Sequence, residues 1–489
     1  MHWANLLHFY QPYGQKREIV DAIVAQCYRP VAQGLLDNSR ARVTINFTGV
    51  LLDLLDEYGH ADVIAMYAEA VRLGRVELVG SAKYHAILPL LPEAEVRRQI
   101  EINNETNRKF FGKSYEPRGI FLPEMAWSPN LAGVLDDMGF DWVMLDELAA
   151  VGRIGNVDYS RTYQITGTGL KAVFREHRLS SMLSWVARDL KQLKAAAYAE
   201  GDLSKRYILT GMDGEVFGHH QVGHDELLVS MFTDPEIQML RVSDVVDTYD
   251  TTLPIKTVAC TWASSGDDIS KGIQFISWND PANGIHKLQW QLLHLTVDQL
   301  SALPKTNASY SRLRSRLDQA IASDQFYWAA GRPWWMIEYI ERGAYDLLSI
   351  LRDLPSAKIA KKGQEIYHEI LTLAYAWQRS GKIDSHDERP RVPFKELTLE
   401  QGNEGTWHAF VDMMRAEEKK AASLGGYEAA ILWRNGIYKL EHKLDIFDSL
   451  YIIDLLRRTL PRGEVETTLA RYKKKFDRIR GGQVEQRSN

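Results

Sequence analysis

Short apolar runs alternate with helical periodicity from Met1 to Asp213, and that alternation restricts the chain to an α/β fold with a parallel sheet. The runs are Met1–His8, Val43–Phe47, Val76–Gly80, Gly119–Leu122, Trp142–Asp146, Lys171–Arg175 and Tyr207–Thr210. Helical patterns lie between them, at 18–36, 51–58, 63–73, 95–111 and 130–138, with Gly74 and Gly139 where helix C-termini favour glycine. Seven strands this short favour a closed or nearly closed barrel over an open doubly wound sheet. Polar residues stand at or near every strand end: His8, Asn46, Glu77, Glu124, Asp146, Arg175 and Asp213. Barrel enzymes assemble their sites from such ends, where the loops converge on one mouth.

After about residue 285 the texture changes. Helical patterns follow one another at 286–303, 308–323, 333–354, 358–380, 406–423 and 427–458, with a polar loop at 383–403 that contains Pro390 and Pro393. The expected division is a barrel over 1–285, a helical region over 286–460 and a basic, then polar, solvated tail over 461–489. A length of 489 residues is consistent with two or three domains.

The bulk properties exclude several classes. A net charge of -5 provides no basic field for nucleic acid. The two cysteines, Cys27 and Cys260, cannot build a disulfide framework and lack metal-ligand spacing, which fits a reducing compartment. The first residues lack the pattern of a secretory signal, and no apolar stretch is long enough to span a bilayer, so a cytoplasmic protein without a membrane partner is expected. Tryptophan and tyrosine, at 13 and 22 residues, are abundant and slightly favour a carbohydrate ligand, because aromatic faces stack on sugar rings.

Two strand ends carry the chemistry. Ile120–Leu122 stops at Pro123 and presents Glu124, and Tyr207–Thr210 runs into Asp213. Cleavage of a glycosidic bond needs one carboxyl to protonate the leaving oxygen and a second to trap the sugar cation, about 5 Å apart in retaining enzymes. Spacing alone leaves open the alternative that both are helix caps or salt-bridge partners. In Asp213-Gly214-Glu215 the glycine implies a turn that parts the two acids, so Asp213 is preferred and Glu215 is expected to pack or pair behind it. The histidines His8, His85, His177, His219, His220 and His224 invite a metal reading, but no His-Glu-x-x-His helix occurs, and donation to sugar hydroxyls is equally available. No metal and no cofactor are expected. Gly152–Gly155 and Gly167–Gly169 are read as turns, without a phosphate-binding lysine.

Five stretches together resemble glycoside hydrolase family 57, the retaining α-glucan-active enzymes. They are Leu6–Pro12, Gly74–Gly80 continuing to Tyr84-His85 and Leu88–Leu90, Phe121–Ala126, Met212–Gln221 and Ala322–Trp328. Val173–Ser180 also looks like a stretch seen in such enzymes. The resemblance implies an incomplete (β/α)7 barrel followed by helices that contribute to the cleft. It further implies Glu124 as nucleophile, Asp213 as acid/base with a raised pKa, and α-amylase, 4-α-glucanotransferase or branching activity on an α-glucan or maltooligosaccharide. Candidates to hold sugar hydroxyls are His8, Gln11, Glu77, His85, Arg175, His177, His220 and Asp324. Trp127, Trp278, Tyr327 and Trp328 are candidates to stack on rings, with a core role equally open for each. The loops around Gly80–His85 and after Asp213 depart from better-known members and leave the particular reaction open. Two other classes stay in view: a metal-dependent polysaccharide deacetylase or mannosidase on a related barrel, and a non-catalytic glucan-binding protein.

Overall fold

A computed structural model describes residues 1–185, 187, 189–331, 334–380, 382 and 404–442. The polar loop 383–403 and the tail 461–489 therefore lie outside the described residues. The strands are β1 (His2–Phe9), β2 (Val43–Phe47), β3 (Val76–Leu78), β4 (Gly119–Phe121), β5 (Trp142–Asp146), β6 (Thr162–Ile165), β7 (Lys171–Arg175), β8 (Tyr207–Asp213), β9 (Gln238–Leu240) and β10 (Thr252–Ile255). Every run expected from the sequence has a strand, while β6, β9 and β10 had no clear apolar signature. β6 is a short hairpin arm antiparallel to β7, and β10 has two exposed residues among its four.

The strands form two five-stranded sheets. One runs β3-β2-β1-β8, with β9 beside the start of β1; the other runs β10-β6-β7-β5-β4. All pairings are parallel except β6 with β7. The sheets meet twice. Gly80 bridges Ile120 beyond the end of β3, and the Glu176 amide, just past β7, donates to the Leu209 carbonyl of β8 at 2.7 Å. Space is tight at the first junction: a Cβ on Gly119 would lie 2.1 Å from the Trp142 ring.

Side-chain alternation along the strands decides what faces inward. On β1, Ala4 and Leu6 join one hydrophobic cluster and Trp3, Leu7 and Phe9 the other. His8 therefore shares the face of Ala4 and Leu6. On β2, Val43, Ile45 and Phe47 belong to the outer cluster, which leaves Asn46 on the inner face. On β8, Ile208 and Met212 face outward, and Asp213 shares the side of Tyr207 and Leu209. Parallel register then sets His8 beside Asn46 on one side and Asp213 on the other.

The helices Gly284–Ser301, Tyr310–Ala320, Asp324–Tyr327, Ile337–Arg352 and Ala357–Ser380 belong to the same compact unit as the sheets, Met1–His386. The second unit, Asp387–Asn489, contains the helices Glu404–Ser423 and Tyr427–His442, which pack on each other and are tied by Arg434 to Glu418 at 2.8 Å. No helix among the described residues is long and apolar enough to cross a membrane.

A buried ion cluster fastens the helix Tyr310–Ala320 to the helix Glu93–Phe111. Arg314 donates to both oxygens of Glu95 at 2.8 and 2.7 Å and to Asp318 at 3.1 Å, and Arg98 closes on Asp318 at 2.6 and 2.5 Å. Removing one member of such a set leaves an uncompensated buried charge, at a cost of about 3–5 kcal/mol. Arg314→Leu is accordingly expected to lower the unfolding free energy by that amount, measured by urea denaturation. A loss under about 1 kcal/mol would show that the cluster does not anchor the helix.

Candidate active site

β4 ends in a backbone that few side chains tolerate. Among the described residues three non-glycine residues have positive φ: His85 at 56°, Glu124 at 58° and Met125 at 46°. All three lie in one region, and such strain persists only where the surroundings fix it. The Glu124 carbonyl accepts from the Trp262 amide at 3.2 Å. Trp127 and Cys260 exchange two backbone hydrogen bonds, at 2.8 and 3.1 Å. The segment 260–262 thus holds the turn that lifts Glu124 out of the sheet.

Glu124 and Asp213 line one cleft. His8, Tyr10 and Gln11 from the end of β1, His85, Glu215 and His220 line it as well. Ser323, Asp324, Tyr327 and Trp328, around the helix Asp324–Tyr327, complete it together with Trp278. Ten of the residues singled out in the sequence therefore meet here: His8, Gln11, His85, Glu124, Asp213, His220, Trp278, Asp324, Tyr327 and Trp328.

The remaining four candidates stand elsewhere. Glu77 accepts from Thr44 Oγ1 at 2.8 Å and from the Ser243 amide at 3.1 Å, with a further short bond from Ser243 Oγ. It ties β3 to the first turn of the helix Val242–Thr248 and does not reach the cleft. Trp127 is fully buried and donates to Thr257 Oγ1 at 2.9 Å, so it is a core residue. Arg175 and His177 are not among the lining residues, and both bond to the buried Asp146, at 2.7 and 3.0 Å.

The carboxyl groups differ in what they receive. Glu124 accepts from Trp262 Nε1 at 2.7 Å, with His85 Nε2 at 3.9 Å. Glu215 takes Tyr28 Oη, the Tyr10 amide at 3.3 Å and Gln11 Nε2 at 3.4 Å, all on one oxygen. Asp324 accepts from Tyr10 Oη at 2.5 Å. Asp213 receives no hydrogen bond from the described residues; its charged neighbour is Arg175. Burial raises all four acids. Glu124 is pushed up to about 8 by burial and by the Asp213 charge, against the Trp262 bond. Asp213 is pushed up to about 6 by burial, against Arg175. Glu215 rises to about 8 by burial and the Asp213 charge, and Asp324 rises through burial.

A hydrogen-bonded row crosses the floor. Asn46 Oδ1 meets His8 Nδ1 at 2.6 Å, His8 Nε2 meets His85 Nε2 at 3.0 Å, and His85 Nδ1 meets Ser323 Oγ at 3.0 Å. Burial lowers the pKa of His8 to about 4 and holds His85 well below its ordinary value, so the row consists of neutral imidazoles. With Oδ1 as acceptor at one end, His8 donates to Asn46, His85 to His8 and Ser323 to His85. His85 also stacks on Tyr10, ring centroids 4.0 Å apart. Trp278 stacks on Tyr327 at 5.7 Å and Trp328 on Tyr339 at 5.4 Å. Tyr10, Trp262 and Ser323 escaped the sequence reading. Ser323 and Tyr10 fall inside two of the five stretches and could have been found there, whereas nothing local marks Trp262.

Trp262 touches Glu124 twice, once through each of its N–H groups, and the indole bond stabilises the carboxylate form. Trp262→Phe removes that bond, so the pKa of Glu124 rises. If ionised Glu124 is needed for turnover, the acid limb of the kcat/KM–pH profile moves to higher pH. A hydrogen bond to a charged group contributes about 1.5–3 kcal/mol, and kcat should fall about 10- to 100-fold. An unchanged profile would show that the indole does not act on this carboxyl.

The family described as Glycosyl hydrolase family 57 matches residues 4–257. An alpha-amylase of Pyrococcus horikoshii is 31% identical over 141 residues, 29% of this chain and 22% of that protein. A 4-alpha-glucanotransferase of Thermococcus litoralis is 26% identical over 141 residues, 29% of this chain and 21% of that protein. These alignments span about a fifth of the length of each relative. Among solved structures, the Thermococcus litoralis 4-alpha-glucanotransferase superposes with a TM-score of 0.58 at 16% identity, covering 72% of this chain and 60% of that one. A GH57-type branching enzyme from Pyrococcus horikoshii superposes with a TM-score of 0.56 at 16% identity, covering 76% of this chain and 96% of that one. These superpositions show a shared fold, with mixed α/β sheets followed by helices. With more than half of its length matched by the family, the chain belongs to glycosyl hydrolase family 57.

Proposed function

We propose that the protein is a retaining α-glucan hydrolase or transglycosylase that works through a glycosyl-enzyme intermediate, with Glu124 as nucleophile and Asp213 as acid/base. Family membership and the alpha-amylase and 4-alpha-glucanotransferase relatives support the substrate class. The observation that carries the residue roles is the unequal supply of donors. A donor to a carboxyl oxygen favours the charged form. Glu124 has one, from Trp262, and Asp213 has none among the described residues. Two acids lining one cleft do not readily ionise together, so the pair carries one proton. Burial and the Asp213 charge keep Glu124 the higher of the two, about 8 against about 6, so the reactive arrangement with the proton on Asp213 is the minor one, and the Trp262 donor lessens its cost. With the proton there, the repulsion from an ionised Asp213 that raises Glu124 is gone and Trp262 holds Glu124 as the anion.

In the first step a Glu124 oxygen bonds to the anomeric carbon while Asp213 passes its proton to the departing glycosidic oxygen. In the second, Asp213 takes a proton from water or a sugar hydroxyl, whose oxygen bonds to the same carbon and releases Glu124. His8, His85 and Asp324 are proposed to orient sugar hydroxyls, with Gln11 and His220 at the same wall. Tyr327, Trp328 and Trp278 form the aromatic side. Trp278 is nearly fully buried and backs Tyr327.

We further propose that β1, β2, β3, β4, β5, β7 and β8 close into an incomplete (β/α)7 barrel, with the two sheet junctions as seams. On this reading 1–285 is the catalytic barrel, and the helices that follow it within Met1–His386 complete the cleft. The supply of Ser323, Asp324, Tyr327 and Trp328 supports that division. Cys27 and Cys260, both free and buried, fit a reducing compartment, and we place the enzyme in the cytoplasm.

Maltoheptaose digestion tests the function. Release of glucose or maltooligosaccharides in the α-anomeric form indicates hydrolysis, longer linear products indicate transfer and α-1,6 linkages indicate branching, whereas β-anomeric products or none would defeat the reading. Glu124→Gln is expected to abolish turnover. Asp213→Asn should lose about 10²- to 10⁴-fold on maltoheptaose but far less on α-maltosyl fluoride, whose leaving group needs no proton. The kcat/KM–pH profile should be bell-shaped with limbs near about 6 and about 8, belonging to the pair, because activity is lost when both acids are protonated and when both are ionised.

A further inference from the structure

An arginine beside a general acid is an awkward arrangement, because its charge lowers the acid's pKa and removes the proton the reaction needs. Arg175 is such a neighbour to Asp213. Its Nε donates to the Gly211 carbonyl at 2.7 Å, two residues before Asp213, and its guanidinium lies over the Trp262 ring, 5.7 Å from the centroid. One side chain thus braces the strand end that carries Asp213 and the indole that bonds Glu124. Behind it, Asp146 ends β5 and is fully buried. It accepts from Arg175 Nη1 at 2.7 Å, from His177 Nδ1 at 3.0 Å and from the Leu148 amide at 3.1 Å.

We propose that Asp146 is a positioning residue that partly offsets the charge of Arg175, so that the guanidinium braces both halves of the site while drawing less on the proton of Asp213. This rests on the reading of Asp213 as the acid. Asp146 does not line the cleft, and its effect runs entirely through Arg175. At contact distance the opposite charge of Asp146 leaves a third group beyond the pair with a weaker field than the arginine alone would exert. The other titratable groups facing Asp213 are Glu124, Glu215 and Tyr327, with His8 beside it in the ladder. Those facing Asp146 are His177, Glu147, Tyr159 and Cys260. Among the described residues Arg175 is the one arginine or lysine bonded to Asp146.

The test is the alkaline limb of the kcat/KM–pH profile with maltoheptaose, which reports loss of the acid's proton. Asp146→Asn leaves the Arg175 charge uncancelled, so the limb should move down by about one pH unit, the low end of what a neighbouring arginine does to an aspartate. Arg175→Gln should move it up, and the double variant should return it to the wild-type position. Turnover of α-maltosyl fluoride by Asp146→Asn should fall less than turnover of maltoheptaose. Equal losses on both substrates with an unmoved limb overturn the inference and leave Asp146 a purely structural anchor. Should Asp146→Asn fail to fold, Asp146→Ser decides on the same limb: downward supports the inference, unmoved or upward overturns it. Asp213→Asn separates the two readings. If it retains wild-type turnover of maltoheptaose, Asp213 is not the acid; if it is inactive while the limbs of the other variants stay in place, only the role of Asp146 falls.

Discussion

Keeping four carboxyl groups in one cleft, half-buried or buried, is the constraint that the surrounding structure answers. Each such group costs free energy when ionised unless donors compensate it. The compensation is uneven. Glu215 has three donors on a single oxygen, Asp324 has Tyr10, Glu124 has Trp262, and Asp213 has only the field of Arg175. A uniform supply would leave the proton without a preferred position. The uneven one gives the four acids different properties, and that difference is what acid/base chemistry on a sugar requires.

The same constraint explains the backbone. A carboxyl at the end of a regular strand would project with the pleat, and β4 instead breaks at Pro123 so that Glu124 and Met125 take left-handed angles. That conformation costs on the order of 1–3 kcal/mol per residue. It is held by the Trp127–Cys260 pairing and the Trp262 amide, and the same segment delivers the indole that bonds the carboxylate. Fixing the turn and supplying the donor are thus one local arrangement.

Glu124 and Asp213 meet in the cleft from positions the sequence marks, because each stands at or just past the end of an apolar run. Glu77 shows where that logic fails. It lies inside β3, one residue before the strand's last, and its side chain serves a helix N-terminus that arrives 166 residues later. Trp127 failed for a related reason: an aromatic beside a catalytic turn is as useful beneath the turn as above it, and Thr257, which fixes the choice, is distant in sequence. Trp262 was invisible for the converse reason, since its value comes wholly from what it touches. Strand ends are local properties, whereas hydrogen-bond partners between distant segments are not.

The cleft also divides its labour by origin. Asp213 ends β8, whose register against β1 is fixed by a backbone ladder, and Glu124 stands in the turn past β4 that Trp262 holds, while Asp324, Tyr327 and Trp328 come from the segment that follows the helix anchored through Arg314. Ladders constrain position to fractions of an ångström, as covalent chemistry demands. Aromatic stacking tolerates small shifts and is set by which side chains a helix presents. The carboxyl pair and the aromatic side of the cleft thus come from different parts of the chain.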